Sequence, residues 1–172
     1  MSDHDTIRRR TTDDLEQAGR ALVEVHARDG YPVEGVADPI AWLADPAPLH
    51  AWVAERDGRI VGHVAAIAPK GSAAVAHWHE RHPGRAVKVA ELGRLFVAPT
   101  ARGAGLGERL IGAVVDWADT YGLTLVLDVM AKDSAAIRLY ERLGWTRMDE
   151  TAHVYGDGQQ EPAYTYEHRS PD

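Results

Sequence analysis

A glycine-rich turn between a strand-like run and a helix-like run constrains this chain more than any other part of its sequence. Val89–Val97 is rich in strand-forming residues, and Gly103, Gly105 and Gly107 follow it closely. Over Leu106–Tyr121, apolar residues recur every three or four positions, which predicts an amphipathic helix. We therefore expect a strand, a turn and a helix, with the first amide groups of the helix unpaired and unobstructed by Cβ atoms.

The start of this helix is suited to a phosphate group. Its N–H groups and the positive end of the helix dipole favour a di- or triphosphate, and Arg102 adds a guanidinium at the mouth of the turn. A P-loop is excluded because the stretch has no lysine, and the glycine spacing departs from the dinucleotide-binding pattern in both registers. The remaining pattern, Arg102-x-x-Gly105-x-Gly107, is by itself also compatible with a turn that binds no ligand.

A second motif follows in the next part of the chain. Leu123–Val129 predicts a strand, and the residues after it predict a short helix that Asp133 begins and Gly144 ends. The apolar face of that helix consists of Ala136, Ile137, Tyr140 and Leu143. A tyrosine on such a face most often serves only to pack against the core.

The two motifs, in this order and at this spacing, resemble the GCN5-related N-acetyltransferase (GNAT) family. The acyl-CoA pyrophosphate loop of the family matches the arginine and glycines at 102–107. The family's Asn, Ala, Leu-Tyr and Gly-Phe pattern matches Asp133, Ala136, Leu139-Tyr140 and Gly144-Trp145, with Asp for Asn and Trp for Phe as departures. The resemblance is firm over residues 89–145 and looser elsewhere.

The resemblance implies the α/β (α+β) GNAT fold over a single domain of residues 1–172. In that fold a central mixed, mostly antiparallel twisted sheet of about six to seven strands contains a splayed central pair, and about four helices flank it. A length of 172 residues is consistent with one domain with a full core. We expect residues 1–5 and 169–172 to be frayed.

The resemblance also implies an acetyl-CoA-dependent N-acetyltransferase. The acceptor would be a primary amine of a small molecule or peptide, attacking the thioester directly in a ternary complex. The alternative is a non-catalytic acyl-CoA-binding sensor of the same fold. The residues that the resemblance assigns to acetyl-CoA are Leu95, Phe96 and Val97 on a bulged central strand, Arg102, Gly103, Ala104, Gly105, Leu106 and Gly107 in the turn, and Asp133 near the pantetheine arm.

Three side chains are candidates for the chemistry. The match to the family tyrosine makes Tyr140 the proposed acid, since a phenol is protonated at neutral pH and donates to a departing thiolate. An amine with a pKa near 10 must lose a proton before it attacks, and Glu91 is the first candidate base, with Asp128 second. Each carboxylate could instead belong to a surface ion pair, and strand alternation does not decide where Glu91 points.

The acceptor site is expected in less regular segments. Tyr31 and Glu34 lie in a loop rich in proline and glycine, which in the family walls the acceptor site. We interpret the segment from Pro69 to Ala86 as an irregular insert, either a solvated loop or a flap over the acceptor site with Trp78 as a lid. Asp128, on the strand predicted for the second motif, is expected to orient the amine. The histidines of this insert fit no standard zinc spacing, so no metal is expected.

The remaining segments predict further elements. Thr6–Thr11 is expected to be an edge strand, and a helix follows from Thr12. Asp57-Gly58 predicts a hairpin turn between two strands, and Gly62 within the second strand predicts a bulge or close packing. Residues 146–168 predict a closing hairpin with a longer loop at 156–160.

Composition narrows the classes of function. The net charge of −7 argues against a nucleic-acid partner and weakly favours cationic acceptors such as amines. The chain contains no cysteine, which fits a cytoplasmic protein, and has no apolar run long enough to span a membrane. The first residues do not resemble a signal peptide. A homodimer is expected only because symmetric dimers are the commonest oligomers.

Overall fold

The computed structural model of this chain describes residues 4–169 and has an α/β architecture. Its residue contacts group into two compact units. The first unit takes the chain up to Ile67 together with Leu92–Val114, and the second takes Ala68–Glu91 together with the chain from Val115 onward. Among the described residues, no helix is both long enough and apolar enough to cross a membrane.

Residues 4–169 form seven strands and five α-helices. The strands are β1 (Asp5–Arg9), β2 (His50–Arg56), β3 (Arg59–Ile67), β4 (Val89–Val97), β5 (Thr124–Met130), β6 (Thr146–Tyr155) and β7 (Gln159–His168). The helices are α1 (Leu15–Asp29), α2 (Pro39–Ala44), α3 (Ala73–Arg81), α4 (Leu106–Thr120) and α5 (Ser134–Arg142), with 3-10 turns at Thr12–Asp14 and Pro99–Ala101. The strand order β1-β2-β3-β4-β5-β7-β6 confirms the predicted mixed sheet and its edge strand β1.

The β2–β3 hairpin of the first unit forms as its turn residues predict. Asp57 and Gly58 have φ values of 50° and 75°, the left-handed conformation that a tight two-residue turn requires. The register shifts between Ala54 and Glu55, which pair with Gly62 and Ile60, so the bulge lies at Val61 of β3, beside Gly62. A Cβ at Gly62 would lie 3.2 Å from the Phe96 carbonyl oxygen, so both the bulge and the close packing are confirmed.

The central strands β4 and β5 are paired only at their beginnings. Parallel pairs join Val89–Glu91 to Thr124–Val126. Within residues 4–169 no further register pair joins these two strands, although β4 continues to Val97 and β5 to Met130. Arg94 has φ +53°, an irregular backbone for a non-glycine residue in a strand. The splayed central pair expected from the family fold is therefore present.

The second unit contains the main error of the sequence interpretation. The segment expected to be an irregular insert forms the helix α3, which Ser72 caps by accepting a hydrogen bond from the Val75 amide at 3.3 Å. Ala74, Val75 and Trp78 form its buried face, in one apolar cluster with Val89, Val126 and Met148. A capping serine before an alanine-rich run was available as a signal in the sequence.

The ends of the described chain differ in detail from expectation. Asp5 is the first residue of β1, and the Arg56 Nε donates to its carboxylate at 2.6 Å, so the expected fraying is wrong for this residue. Residues 1–3 and 170–172 of the segments predicted to fray lie outside the described residues. The closing hairpin β6–β7 is confirmed, but its connection is the short segment 156–158 and not a longer loop.

Candidate active site

The glycine turn in the first unit has the geometry that a phosphate site requires. Gly103 and Gly105 have φ values of 84° and 76°, which side-chain-bearing residues rarely adopt, and a Cβ at either position would meet no atom within 4 Å. The Arg109 amide donates to the Gly105 carbonyl at 3.1 Å, so the helical hydrogen bonds of α4 begin here. The first-turn amides of a helix have no intrahelical acceptor, and the Cβ positions of the two glycines that precede them are open.

Arg102 is anchored beside this turn by two hydrogen bonds. Its Nε donates to the Val97 carbonyl at 3.1 Å, and its Nη2 donates to the Asp29 carboxylate at 2.6 Å. Asp29 is the last residue of α1, and no sequence pattern predicted this pair. The guanidinium is therefore held at the turn, with part of its charge neutralised by Asp29.

The three predicted backbone-binding residues of β4 follow the irregular Arg94. Phe96 is buried, whereas Leu95 and Val97 are partly exposed. The amide of Ala98 donates to the Val61 carbonyl at 2.7 Å, and the Val97 carbonyl accepts from Arg102. Strand β4 is therefore anchored at its end, directly after the stretch that the resemblance assigns to the acyl group.

Tyr140 lies on α5 in the second unit and is almost fully buried. Its ring meets the rings of Trp145 and Tyr166, with centroids 5.6 and 6.4 Å away. Burial raises the pKa of the phenol above its ordinary value, and the negative charges of Asp128 and Asp133 raise it further. Tyr140 is thus protonated throughout the neutral pH range, as a hydrogen-bond donor to a leaving group must be.

The two candidate bases have different surroundings within the second unit. Glu91 is half-buried and accepts a hydrogen bond from the Ser72 hydroxyl at the start of α3. Asp128 is exposed on β5 and lies 3.6 Å from the Nδ1 of His153, an ion pair when that imidazole is protonated. Asp133 occupies the N-cap position of α5 as predicted, but its side chain does not make the capping hydrogen bond.

Of the four predicted acceptor residues, three are accessible, Asp128 among them, and one is not. Tyr31 is partly exposed and meets the Trp42 ring edge-on at a centroid distance of 5.8 Å, and Glu34 is exposed. Trp78 is only 2% exposed in the core of the second unit, so its assignment as a lid is wrong. Within residues 4–169, no group of His, Cys, Asp and Glu side chains is arranged to hold a metal ion.

One buried polar residue was missed by the sequence interpretation. His63 lies within β3 at 0% exposure and contacts Arg10 and Arg94 through its two ring nitrogens. The only signal in the sequence was a histidine within an apolar run, which carries no information on its partners. Those partners come from distant parts of the chain.

Comparison with known proteins places this geometry in one family. A sequence model described as the Acetyltransferase (GNAT) family matches residues 16–145. A mycothiol acetyltransferase of Salinispora tropica is 39% identical over 138 residues, covering 69% of this chain and 44% of that protein. A mycothiol acetyltransferase of Renibacterium salmoninarum is 30% identical over 146 residues, covering 83% of this chain and 41% of that protein. The chain thus spans less than half the length of these relatives.

Solved structures share the fold over nearly the whole chain. The structure of Arabidopsis thaliana NAA60 in complex with acetyl-CoA has a TM-score of 0.72 and 22% identity, covering 96% of this chain and 98% of that one. The ribosomal-protein-S18-alanine N-acetyltransferase of Escherichia coli has a TM-score of 0.68 and 23% identity, covering 95% and 92%. At these identities the likeness concerns the fold, whereas the sequence match over residues 16–145 decides the family. The chain is a member of the GNAT acetyltransferase family.

Proposed function

We propose that this protein is an acetyl-CoA-dependent N-acetyltransferase that acetylates a primary amine of a small molecule or peptide. The observation that carries the proposal is the glycine turn before α4. Its two left-handed glycines have open space at their Cβ positions and directly precede the first helical amides, an arrangement that fits the pyrophosphate of an acyl-CoA. The anchored guanidinium of Arg102 supports the same assignment through its charge.

In this proposal, residues 103–107 hold the pyrophosphate through backbone amides, and Arg102 neutralises part of its charge. Leu95, Phe96 and Val97 supply backbone groups to the pantetheine arm and the acyl oxygen. Beyond Glu91 no register pair joins β4 to β5 within residues 4–169, which supports this role, because groups engaged in a ladder with β5 could not bind a ligand. The negative charge of Asp133 is assigned to the region of the pantetheine arm.

The reaction would be direct attack of the amine on the thioester carbonyl. The new C–N bond forms, the C–S bond breaks, and the proton of the amine passes to a base. Tyr140 donates to the departing sulfur. Because the raised pKa of the phenol lies above that of a thiol, near 8.5, Tyr140 would stabilise the thiolate mainly by a hydrogen bond.

Glu91 is the proposed base, acting directly or through a water molecule, and Asp128 is proposed to orient the ammonium group. The hydrogen bond from Ser72 supports the role of Glu91, because it stabilises the ionised carboxylate that a base must present. The exposure of Asp128 supports a role in attracting a cation from solution. Tyr31 and Glu34 are proposed to contact the acceptor.

The identity of the acceptor is the first matter to test. The relatives carry the name mycothiol acetyltransferase, so amine precursors related to mycothiol belong at the head of an acceptor panel, with peptides and simple amines beside them. Release of free CoA thiol with each acceptor, together with the mass of the product, measures the reaction. Thiol release that depends on an amine supports the enzyme.

The same experiment separates the alternative. A non-catalytic acyl-CoA sensor would bind acetyl-CoA in calorimetry yet release no thiol with any acceptor.

Cytoplasmic location and a homodimer belong to the proposal as well. Light scattering of the purified chain at several concentrations measures the oligomeric state.

A further inference from the structure

A buried histidine in the first unit joins two arginines from different strands. The Nε2 of His63 lies 3.0 Å from Arg10 Nη1, and its Nδ1 lies 2.9 Å from the Arg94 carbonyl oxygen. Since a guanidinium has only donors, Nε2 must accept from Arg10. The proton of the neutral ring is therefore on Nδ1, which donates to the Arg94 carbonyl.

This carbonyl belongs to the one irregular residue of β4. Arg94 has φ +53°, a conformation that costs free energy for a non-glycine residue and persists only where its surroundings enforce it. Its side chain is held as firmly as its carbonyl. The Arg94 Nε donates to the Trp42 carbonyl at 2.5 Å, and the guanidinium lies 5.2 Å from the centre of the Trp42 ring.

The ring of His63 is fixed from its other sides as well. It stacks on Phe96 at a centroid distance of 5.4 Å and an angle of 13°. Arg10, at the end of β1, also donates to the Leu43 carbonyl of α2 at 3.1 Å, and Asp14 contributes a negative charge near Arg10. The imidazole thus faces two cations and one backbone carbonyl.

These surroundings keep the ring neutral. Burial lowers the pKa of His63 to about 3; the Arg94 carbonyl opposes this effect, and the charges of Arg10 and Arg94 add to it. A neutral ring is required for the arrangement, because a protonated Nε2 would be a second donor facing Arg10. An apolar side chain could fill the same space but could not bind the Arg94 carbonyl.

We propose that His63 is a positioning residue that holds the irregular backbone of β4 at Arg94 and thereby fixes the backbone of Leu95–Val97. The inference rests on the proposed function, in which that backbone receives the acyl group. His63 touches no reacting atom in this scheme. It acts through the Arg94 carbonyl, with Arg10 setting its tautomer.

The test compares two substitutions of His63 with a control elsewhere in the same unit. His63→Phe keeps a ring on Phe96 but loses both hydrogen bonds, whereas His63→Asn keeps a donor at the position of Nδ1. Val25→Ala removes buried volume from α1 and controls for lost stability alone. All three are assayed for kcat and for the KM of acetyl-CoA at a temperature where each is folded.

We expect His63→Phe to lower kcat by about 10–100-fold, because misplaced backbone donors stabilise the transition state less well. The KM for acetyl-CoA should stay within about threefold of the parent value. His63→Asn should recover most of kcat, and Val25→Ala should leave both constants near the parent values. A kcat of His63→Phe equal to that of Val25→Ala, or no recovery in His63→Asn, would overturn the inference.

Two readouts do not depend on activity and separate this inference from the proposed function. Amide exchange at Leu95–Val97, measured by NMR, should be at least about tenfold faster in His63→Phe than in Val25→Ala. In the parent, the ¹⁵N spectrum of His63 should show the Nδ1–H tautomer and no titration across the neutral range. Unchanged exchange, an Nε2–H tautomer or an ordinary titration would refute the positioning role even in a chain with no acetyltransferase activity.

Discussion

The two units of the molecule contribute different kinds of chemistry to the proposed reaction. The first unit offers mainly backbone groups, at the glycine turn and along Leu95–Val97, together with the charged side chains of Arg102 and Glu34. The second offers side chains: Tyr140, Glu91 and Asp128. Backbone binding requires particular φ angles, so its signature in the sequence is glycine, whereas proton transfer requires particular functional groups.

A similar contrast separates the buried titratable groups of the two units. Burial moves the pKa of His63 down and the pKa of Tyr140 up, so both side chains are neutral near pH 7. His63 has partners within the protein at both nitrogens, while the neighbours of Tyr140 are mainly aromatic rings. The comparison predicts that a substitution at the glycine turn of the first unit changes the binding of acetyl-CoA, whereas loss of the Tyr140 hydroxyl in the second unit changes turnover.

The largest expected effect is on binding, in the first unit. Gly105→Glu adds bulk and negative charge in front of the amides, so calorimetry should detect no binding of acetyl-CoA. Gly58→Glu is the matched control, because Gly58 also has a positive φ and open space at its Cβ. It should bind acetyl-CoA like the parent. Unchanged affinity in a folded Gly105→Glu would contradict the phosphate assignment.

The second effect is on turnover, in the second unit. Tyr140→Phe should lower kcat by about 10²–10⁴ while leaving the affinity for acetyl-CoA unchanged, since only the donor to the leaving thiolate is lost. Tyr166→Phe serves as the control, because Tyr166 is also buried. The hydroxyl that this substitution removes donates a hydrogen bond to Glu141. Steady-state kinetics decides: a Tyr140→Phe variant with parent-like kcat would leave Tyr140 a packing residue.

A smaller effect concerns the two carboxylates. If Glu91 is the base, kcat/KM of the parent rises with pH along a limb set by one ionisation, and Glu91→Gln should depress that limb strongly. Asp128→Asn should act mainly by raising the KM of the acceptor. Profiles of both variants against pH measure the difference. Loss of the limb in Asp128→Asn, with an intact limb in Glu91→Gln, would reverse the two roles.

The smallest effect is on stability and returns to the first unit. The pKa of His63 is about 3 in the folded protein and near 6.5 in the unfolded chain, so only the unfolded chain takes up the proton between these values. Stability is therefore present above pH 6.5 and falls as the pH falls, by roughly 2 kcal/mol at pH 5 for this one group. The free energy of unfolding, measured with urea above pH 6.5 and at pH 5, gives the size of this loss.

His63→Asn is the variant that isolates this contribution. His50 and His168 have pKa values lowered by burial, so they contribute with the same sign in parent and variant alike. Asp14, with a pKa of about 2 beside Arg8, stabilises the fold above the usual carboxylate range and loses this contribution only below it. An equal loss of stability toward acid in parent and His63→Asn would show that His63 does not resist protonation.

Local signals in the sequence predicted what local physics determines. Asp57-Gly58 predicted its turn, Gly144 ended α5 with φ +91°, and Gly62 marked a close approach of the backbone. For the candidate site, the glycine spacing predicted the turn before α4, and the match to the tyrosine of the family selected Tyr140. The turn glycines and Tyr140 can be recognised in the sequence because each motif lies within one or two adjacent elements.

Partners distant in the chain escaped prediction. The bond between Arg102 and Asp29 joins residues far apart in sequence, and so do the contacts of His63. The error on α3 had another cause. The histidines of that segment drew attention to metal and loop chemistry, whereas its capping serine and the apolar spacing to Trp78 indicated a buried helix.

Among the described residues, β1 and β6 are the two edge strands of the sheet. An edge strand has backbone groups that can pair with a second polypeptide, which leads to aggregation. β1 is only five residues long and carries Arg8 and Arg9, with Arg8 paired to Asp14 and Glu55. β6 is longer, but charged residues such as Arg147, Asp149 and Glu150 interrupt its apolar pattern. Short length on one side and charge on both discourage strand-to-strand aggregation, so the chain can keep an extended sheet at the concentrations reached during overexpression.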